Sequence, residues 1–389
     1  MFLQEIRTVP YYQRLFRDFG FNVTATNLYK ELLKLPIQTK LDVKTHHNDI
    51  VNLNFIGETY LLHTSGTTGG GLVFPCSREM ENKQWAVWWR YRGWHGIDLN
   101  TWCGWFGGRT IISTKNTKAP FWRINYPGKQ VMFSAYHLNK DTVELYYQKL
   151  KRSGLTWLHG YPSQISLLAS LIADQGLTPL HFVTHVTFGA ENLLEGQKQI
   201  ISKVFPNAKL TQHYGLAEGV ANLSQDVHGR WKIDEDFAYV EFVPISEEDP
   251  TICRIVGTGF SNYAFPLVRY DTGDIAKIER LPNGTVNVLS IDGRKEDYIS
   301  LPNGVKLGRL DHIFKDLVNI QEAQIYQKSI SEIEFRIVKG QFYSIADEQL
   351  LWSEIRSRIT DSIKITISYV DKISRTRSGK LRLVISDVK

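Results

Sequence analysis

The stretch from Leu155 to Gly215 constrains the fold more than any other part of this chain. "LTWLH" (Leu155–His159) has the length and apolar content of a buried strand. Pro162 follows where a helix can begin, since the N–H it lacks is one that a first turn leaves unpaired anyway. Ile165, Leu168, Ala169 and Ile172 then fall at i, i+3, i+4 and i+7, one face of a helix that Gly176 stops. "HFVTHVTF" (His181–Phe188) reads as the next strand, Leu194–Val204 as a second helix and "AKLTQHYG" (Ala208–Gly215) as a third strand. Strands alternating with helices over short joints imply right-handed crossovers and a parallel sheet. In such sheets ligands collect at the carboxyl ends of the strands.

From about Val286 the pattern changes. "TVNVLSIDGR" reads as a strand ending in a charged turn, and "EAQIYQKSISEIEFRIV" as two antiparallel strands. Leu351, Ile355 and Ile359 line one face of a helix, while Ile363, Ile365, Ile367 and Tyr369 alternate as a strand with one face on a core. This is an α+β unit distinct from the parallel part. The boundary falls near Gly293–Arg294, giving an N-terminal domain over 1–293 and a C-terminal domain over 294–389.

Composition removes several classes. The 389 residues are 42% hydrophobic and 12% aromatic, enough to bury a large core. A net charge of +6 without like-charge blocks or a basic-aromatic repeat speaks against nucleic acid as a partner. "MFLQEIRTVPYYQRLF" lacks a signal-peptide pattern, and no apolar run is long enough for a transmembrane helix, so a cytoplasmic protein is expected. Cys76, Cys103 and Cys253 make neither a disulfide framework nor a CxxC metal site. Trp85, Trp88 and Trp89 fall at i, i+3 and i+4, which predicts a helix face packed into the core, although some tryptophans are candidates for walling an acyl pocket. His181 and His185 flank a strand and are expected to satisfy local hydrogen bonds.

"HTSGTTGGGLVF" (His63–Phe74) combines four glycines with four hydroxyl side chains. Small residues let the backbone approach an anion, and successive N–H groups form a nest for phosphate. A Walker A loop would need a lysine after its last glycine, and none follows. Alone the motif is a weak signal, and a turn between two strands is its default reading. Its company is more specific: "YGLAEG" (Tyr214–Gly219), "RYDTGD" (Arg269–Asp274), "GRKED" (Gly293–Asp297) and "SRTRSGKLR" (Ser374–Arg382) follow in this order. Together they resemble the core motifs of the adenylate-forming superfamily of acyl-CoA synthetases. "PFWRINY", "SAYHLN", "LHGYPS", "FGAENL" and "FPLVRYDTGD" are similar to those of the phenylacetate–CoA ligase family, in particular its capsular-polysaccharide-biosynthesis branch. The resemblance runs from "VPYYQRLF" to the final lysine motif.

The resemblance implies the adenylate-forming fold: an α/β N-terminal domain of several layers with mixed and parallel sheets, and a small mobile α+β C-terminal domain. It implies ATP-dependent, AMP-forming activation of a carboxylic acid, with Mg²⁺. Coenzyme A is the expected second acceptor, an amine giving an amide is the alternative, and an inactive nucleotide-binding paralogue is the lesser one. Residue by residue, Thr64, Ser65, Gly66, Thr67, Thr68 and Gly69 would wrap the β- and γ-phosphates. Gly189, Ala190 and Glu191 would line adenine, with Tyr214 and Gly215 flanking it. Asp274 would take the ribose hydroxyls and Arg294 would add a second nucleotide contact. Glu218 would ligate Mg²⁺, and Lys380 would be the catalytic cation between the carboxylate and the α-phosphate. His159, Tyr161 and His213 are the candidates for the acid site, and Glu296 with Asp297 marks the hinge. Three positions depart from the family pattern: Ala217 where Thr is usual, Ser374 where Pro is usual, and no proline after "TTGGG". None removes a charge that the chemistry needs. A monomer or homodimer is expected.

Overall fold

The computed structural model describes the chain apart from residues 1, 23, 25, 65–71, 108, 110, 114, 295–298, 301, 303–305, 308–309, 315–316, 318, 360–362, 376–380 and 389. Side chains at 292–294, 306–307, 311–312 and 357–358 also lie outside it. The chain forms two compact units, residues 1–96 with 213–294 and residues 97–212 with 295–389.

The first unit begins with short helices, of which Pro10–Asp18 starts on proline and buries Tyr12 and Phe16. The Tyr12 hydroxyl donates to the Pro266 carbonyl (2.8 Å) and accepts from Val268 N–H (3.2 Å), which pins the helix to a core shared by Phe74, Val220 and Phe265. Strands Thr59–His63 and Val73–Ser77 pair antiparallel across the glycine-rich loop, and helix Arg78–Trp94 follows directly, N-capped by the Ser77 hydroxyl. Ala238–Pro244, Ile252–Gly259, Tyr270–Arg280 and Val286–Arg294 form a four-stranded antiparallel meander. Its apolar face packs on Leu223, Ala221 and their neighbours.

The second unit holds the parallel part. Gln130–Phe133, Cys103–Phe106, Trp157–Gly160 and His185–Phe188 lie side by side in parallel, with Trp122–Asn125 antiparallel at one edge and Lys209–Gln212 joining at the other. The sheet is therefore mixed. Helix Pro162–Asp174 buries Ile165, Leu168, Ala169 and Ile172, the face that the spacing predicts, in a core with Phe106, Leu158 and Val186. Strand His185–Phe188 is shorter than its expected span, because residues 181–184 turn before the ladder starts.

The C-terminal part of this unit has a four-stranded sheet in the order Lys364–Tyr369, Glu332–Lys339, Ile320–Ser329, Val384–Ser386. Only the central pair is antiparallel. Helix Ile345–Arg358 covers it, with Leu351, Ile355, Ile359 and Ile363 in the core. Tyr369 departs from expectation. It is exposed, with the Lys339 ammonium 3.5 Å from its ring centroid.

The tryptophan-rich helix also differs from its expected packing. Arg78–Trp94 buries Met80, Val87, Tyr91 and Arg92, whereas Trp85 is 42% exposed and Trp88 and Trp89 are half-buried. The buried Arg92 guanidinium lies over both the Trp85 and Trp89 rings, at 5.6 and 4.7 Å. Those indoles therefore cover a cation rather than a core. Among the described residues no helix is long and apolar enough to cross a membrane.

Candidate functional site

In the first unit, His213, Tyr214 and Gly215, the last residues of strand Lys209–Gly215, pair with Ser224, Leu223 and Asn222 of Asn222–Gln225. The "LAEG" turn follows. Gly219 has φ of 66°, and a Cβ there would meet Met80 Cε at 2.1 Å, so the turn is restricted to glycine. Glu218, on this turn, is half-buried.

The Tyr214 hydroxyl donates to Asp274 Oδ2 at 2.7 Å. Loss of solvent around the phenol, with the charges of Asp274 and then Glu218, pushes its pKa well above the ordinary tyrosine value. The phenol is thus a permanent donor. Asp274 is 7% exposed and its backbone lies directly opposite Arg294 in the antiparallel ladder.

The "RYDTGD" turn sits inside strand Tyr270–Arg280 rather than before it. Gly273, φ 77°, makes a bulge, and the register shifts after Asp274. Asp271 Oδ1 accepts from Gly273 N–H (3.0 Å) and the Thr272 hydroxyl accepts from Asp274 N–H (3.1 Å). Asp271 shapes the bulge, and the bulge aims Asp274.

Thr64 closes the base of the glycine-rich loop: its N–H donates to the Leu72 carbonyl (2.9 Å) and its hydroxyl accepts from Leu72 N–H (2.8 Å). Ser65, Gly66, Thr67, Thr68 and Gly69 lie outside the described residues, as do Lys380, Glu296 and Asp297. For Arg294 the backbone alone is described.

The His213 ring packs beside Trp88 (5.3 Å) and Tyr91 (5.7 Å). Behind Trp88 is a buried network that the sequence reading missed. The indole N–H donates to Asn222 Oδ1 (3.1 Å), and Asn222 Nδ2 (2.6 Å), the Ser224 hydroxyl (3.0 Å) and Arg90 (2.5 Å) all donate to the Asp234 carboxylate. Asp234 stands in "WKIDED", an acidic run that reads as a solvated turn, so no local signal marks it.

In the second unit, His159 Nδ1 lies 2.8 Å from Thr187 Oγ1, which also accepts from the Trp157 indole (2.8 Å). Tyr161 is the N-cap of helix Pro162–Asp174 and donates its backbone N–H to the Phe106 carbonyl (3.0 Å). Gly189 follows strand His185–Phe188, and Ala190 adopts φ of 69°. That conformation costs a residue with a Cβ about 1–2 kcal/mol. The turn brings the Glu191 carboxylate to Ser163 N–H (3.1 Å) at the helix start and to Leu381 N–H (2.9 Å). The Glu191 side chain is therefore bonded to protein backbone at both oxygens.

Chemically, the first unit offers one oriented carboxylate with a fixed neutral donor, and Glu218 close enough for its charge to be felt. Among the described residues no group of three or more His, Cys, Asp or Glu side chains could hold a metal alone.

Residues 300–387 match the family model of the CapK C-terminal domain. The chain is 27% identical over 383 residues to Protein CapK of Staphylococcus aureus, covering 95% of this chain and 82% of that protein. It is 23% identical to the phenylacetate-coenzyme A ligase of Pseudomonas putida, covering 98% and 82%. Among solved structures, 2-hydroxyisobutyryl-CoA ligase in the postadenylation state with R3-HIB-AMP superposes with a TM-score of 0.70 at 17% identity, over 99% of this chain and 89% of that one. An anthranilate CoA ligase in complex with anthranoyl-AMP gives 0.56 at 14% identity, over 82% and 65%. The chain is a homologue of CapK and of phenylacetate-coenzyme A ligase, and it has the α/β fold of the adenylate-forming CoA ligases.

Proposed function

We propose that this protein is an ATP-dependent, AMP-forming acid ligase that activates a carboxylic acid and passes the acyl group to coenzyme A. In the first step a carboxylate oxygen attacks the α-phosphorus of ATP, pyrophosphate leaves, and an acyl-adenylate forms. In the second, the thiol sulfur attacks the acyl carbon, AMP departs with the bonding pair, and the thiol proton goes to solvent. Neither step needs a covalent enzyme intermediate, so the protein's task is positioning and charge neutralisation.

The observation that carries this reading is the Tyr214–Asp274 pair. A buried carboxylate that takes a fixed donor from Tyr214 is an acceptor-only group, the kind that suits the ribose hydroxyls of a nucleotide. The relatives support it: one of the two homologues and both solved neighbours are CoA ligases by name, and both neighbours hold acyl-adenylates. Within the proposal, Asp274 and Arg294 hold the nucleotide, the 64–69 loop its outer phosphates, and Glu218 a Mg²⁺ ion that would neutralise phosphate charge. Lys380 would be the cation between carboxylate and α-phosphate. The 294–389 segment would be the part that moves between the two steps. His159, Tyr161 and His213 would face the acid. The homology to CapK favours a sugar-polymer pathway. A reaction fed by ATP and coenzyme A belongs in the cytoplasm.

The test is pyrophosphate release with ATP and Mg²⁺ across a panel of aryl, aliphatic and sugar acids, wild type beside Lys380→Ala. Acid-dependent release that collapses in the variant, followed by thioester when coenzyme A is added, is the expected result. Amide formation with an added amine, and none with coenzyme A, would redirect the second step. Absence of both release and ATP binding would sink the reading.

A further inference from the structure

Strand Ile320–Ser329 has two buried faces. Ala323 and Ile325 point into the C-terminal core, so Glu322 and Gln324, which alternate with them, face the opposite way. Both are nevertheless buried, at 7% and 1% exposure. What covers them is the end of the chain. Ile373 N–H donates to Glu322 Oε2 (3.3 Å), and the Arg375 guanidinium pairs with Glu322 Oε1. Gln324 Nε2 donates to the Arg382 carbonyl (3.0 Å) and its Oε1 accepts from Arg336 (3.1 Å). Burial pushes the Glu322 carboxyl upward, Arg375 opposes this, and the charge of Glu191 adds to the rise.

These bonds are internal to residues 300–387 and would travel with them. The bond from Leu381 N–H to Glu191 is different, because it reaches outside that segment. It ties the residue after position 380 to the start of helix Pro162–Asp174, where Glu191 also takes the Ser163 N–H. The Ser163 N–H at the helix start still holds the carboxylate in place when Leu381 is absent. A single charge-assisted bond of this kind is strong enough to bias an arrangement and weak enough to release.

We propose that Glu191 is a positioning residue that seats the C-terminal lysine segment for adenylation, and that its bond to Leu381 is broken when the segment serves the second acceptor. The functional half of this rests on the ligase reading above; the anchoring itself does not.

The experiment uses the full-length protein with Glu191→Ala and, as the conservative change, Glu191→Gln. Limited trypsin digestion reads cleavage within "SRTRSGKLR" against cleavage elsewhere. In Glu191→Ala, cutting in this segment is expected to accelerate at least about tenfold, with the melting temperature unchanged and Glu191→Gln intermediate. Acid-dependent pyrophosphate release should fall by a similar factor at an unchanged KM for ATP, while thioester formation from supplied acyl-adenylate should not fall. Equal cleavage in wild type and Glu191→Ala would overturn the proposal. So would a raised KM for ATP with the segment still protected, which would make Glu191 a nucleotide contact. Parallel loss of both steps together with melting temperature would reduce it to a fold residue. If wild type releases no pyrophosphate with any acid yet protection of the segment depends on Glu191, the anchor stands and the ligase reading fails.

Discussion

Asp274 and Glu191 are both carboxylates that follow a residue in the left-handed region, Gly273 at φ 77° and Ala190 at φ 69°. Their supports differ. Asp274 belongs to an antiparallel ladder, with Arg294 opposite its backbone and the Tyr214 hydroxyl on its side chain. Glu191 lies in the loop between strand His185–Phe188 and helix Glu195–Val204, and its carboxylate reaches backbone groups far away in sequence. A group fixed by ladder bonds can open only when the sheet opens, whereas one joined through a side chain can let go alone. The first arrangement suits a ligand held through every step, the second a contact made and broken in each cycle.

That contrast can be attacked directly. The largest effect is expected from Asp274→Ala, which strands the Tyr214 hydroxyl and removes the proposed ribose acceptor. Acid-dependent pyrophosphate release should fall about 10²-fold or more, with a raised KM for ATP. A near-normal rate would mean the fixed carboxylate is not in the site. Next is Asp234→Ala, which leaves Arg90, Asn222 and Ser224 without their shared acceptor behind Trp88. Urea unfolding should show a loss of about 1–3 kcal/mol, since Asn222 and Ser224 lose a buried acceptor while the solvent-reached Arg90 keeps Asp236. A loss under about 1 kcal/mol would show that the network is wet or replaceable.

A smaller, local effect is expected from Ala190→Val. A β-branched residue resists a positive φ at a cost of about 2 kcal/mol, so trypsin should gain access to residues 375–382 before the fold as a whole loosens. Uniform loosening would contradict the releasable character of that contact. The smallest effect concerns alkaline pH. Because the folded Tyr214 pKa lies above its unfolded value near 10, the folded state keeps the proton longer, and stability is lost as pH rises above about 10. Tyr214→Phe should lower the alkaline slope of stability by up to one proton, read from unfolding midpoints between about pH 9 and 11.

Much of the frame could be read before the structure. The 3.6-residue spacing of Ile165, Leu168, Ala169 and Ile172 located a helix because burial on one face leaves that period in any sequence. Tyr214 and Asp274 stood out as candidates because their motifs occur together, not because either letter is informative, and the structure brings the two side chains into contact. What escaped has physical reasons. The bulge at Gly273 places a turn motif inside a strand, which local turn chemistry does not reveal. Trp85 and Trp89 have core spacing, yet they cover Arg92, because a cation on the same helix offered them a closer partner. Asp234, Glu322 and Gln324 are polar letters in polar surroundings. Their burial depends on Arg90 and on Ile373, Arg375 and Arg382, residues far away in sequence.

The measurement that bears most directly on the account follows oxygen. The acid that turns over in the panel would be supplied with ¹⁸O in its carboxyl group, and the products analysed by mass spectrometry after acyl transfer. Adenylation predicts one ¹⁸O in AMP and none in pyrophosphate, because the carboxylate oxygen that attacks the α-phosphorus stays with it when the acyl group departs. Label in inorganic phosphate with release of ADP, or no label in either nucleotide product, would contradict the account.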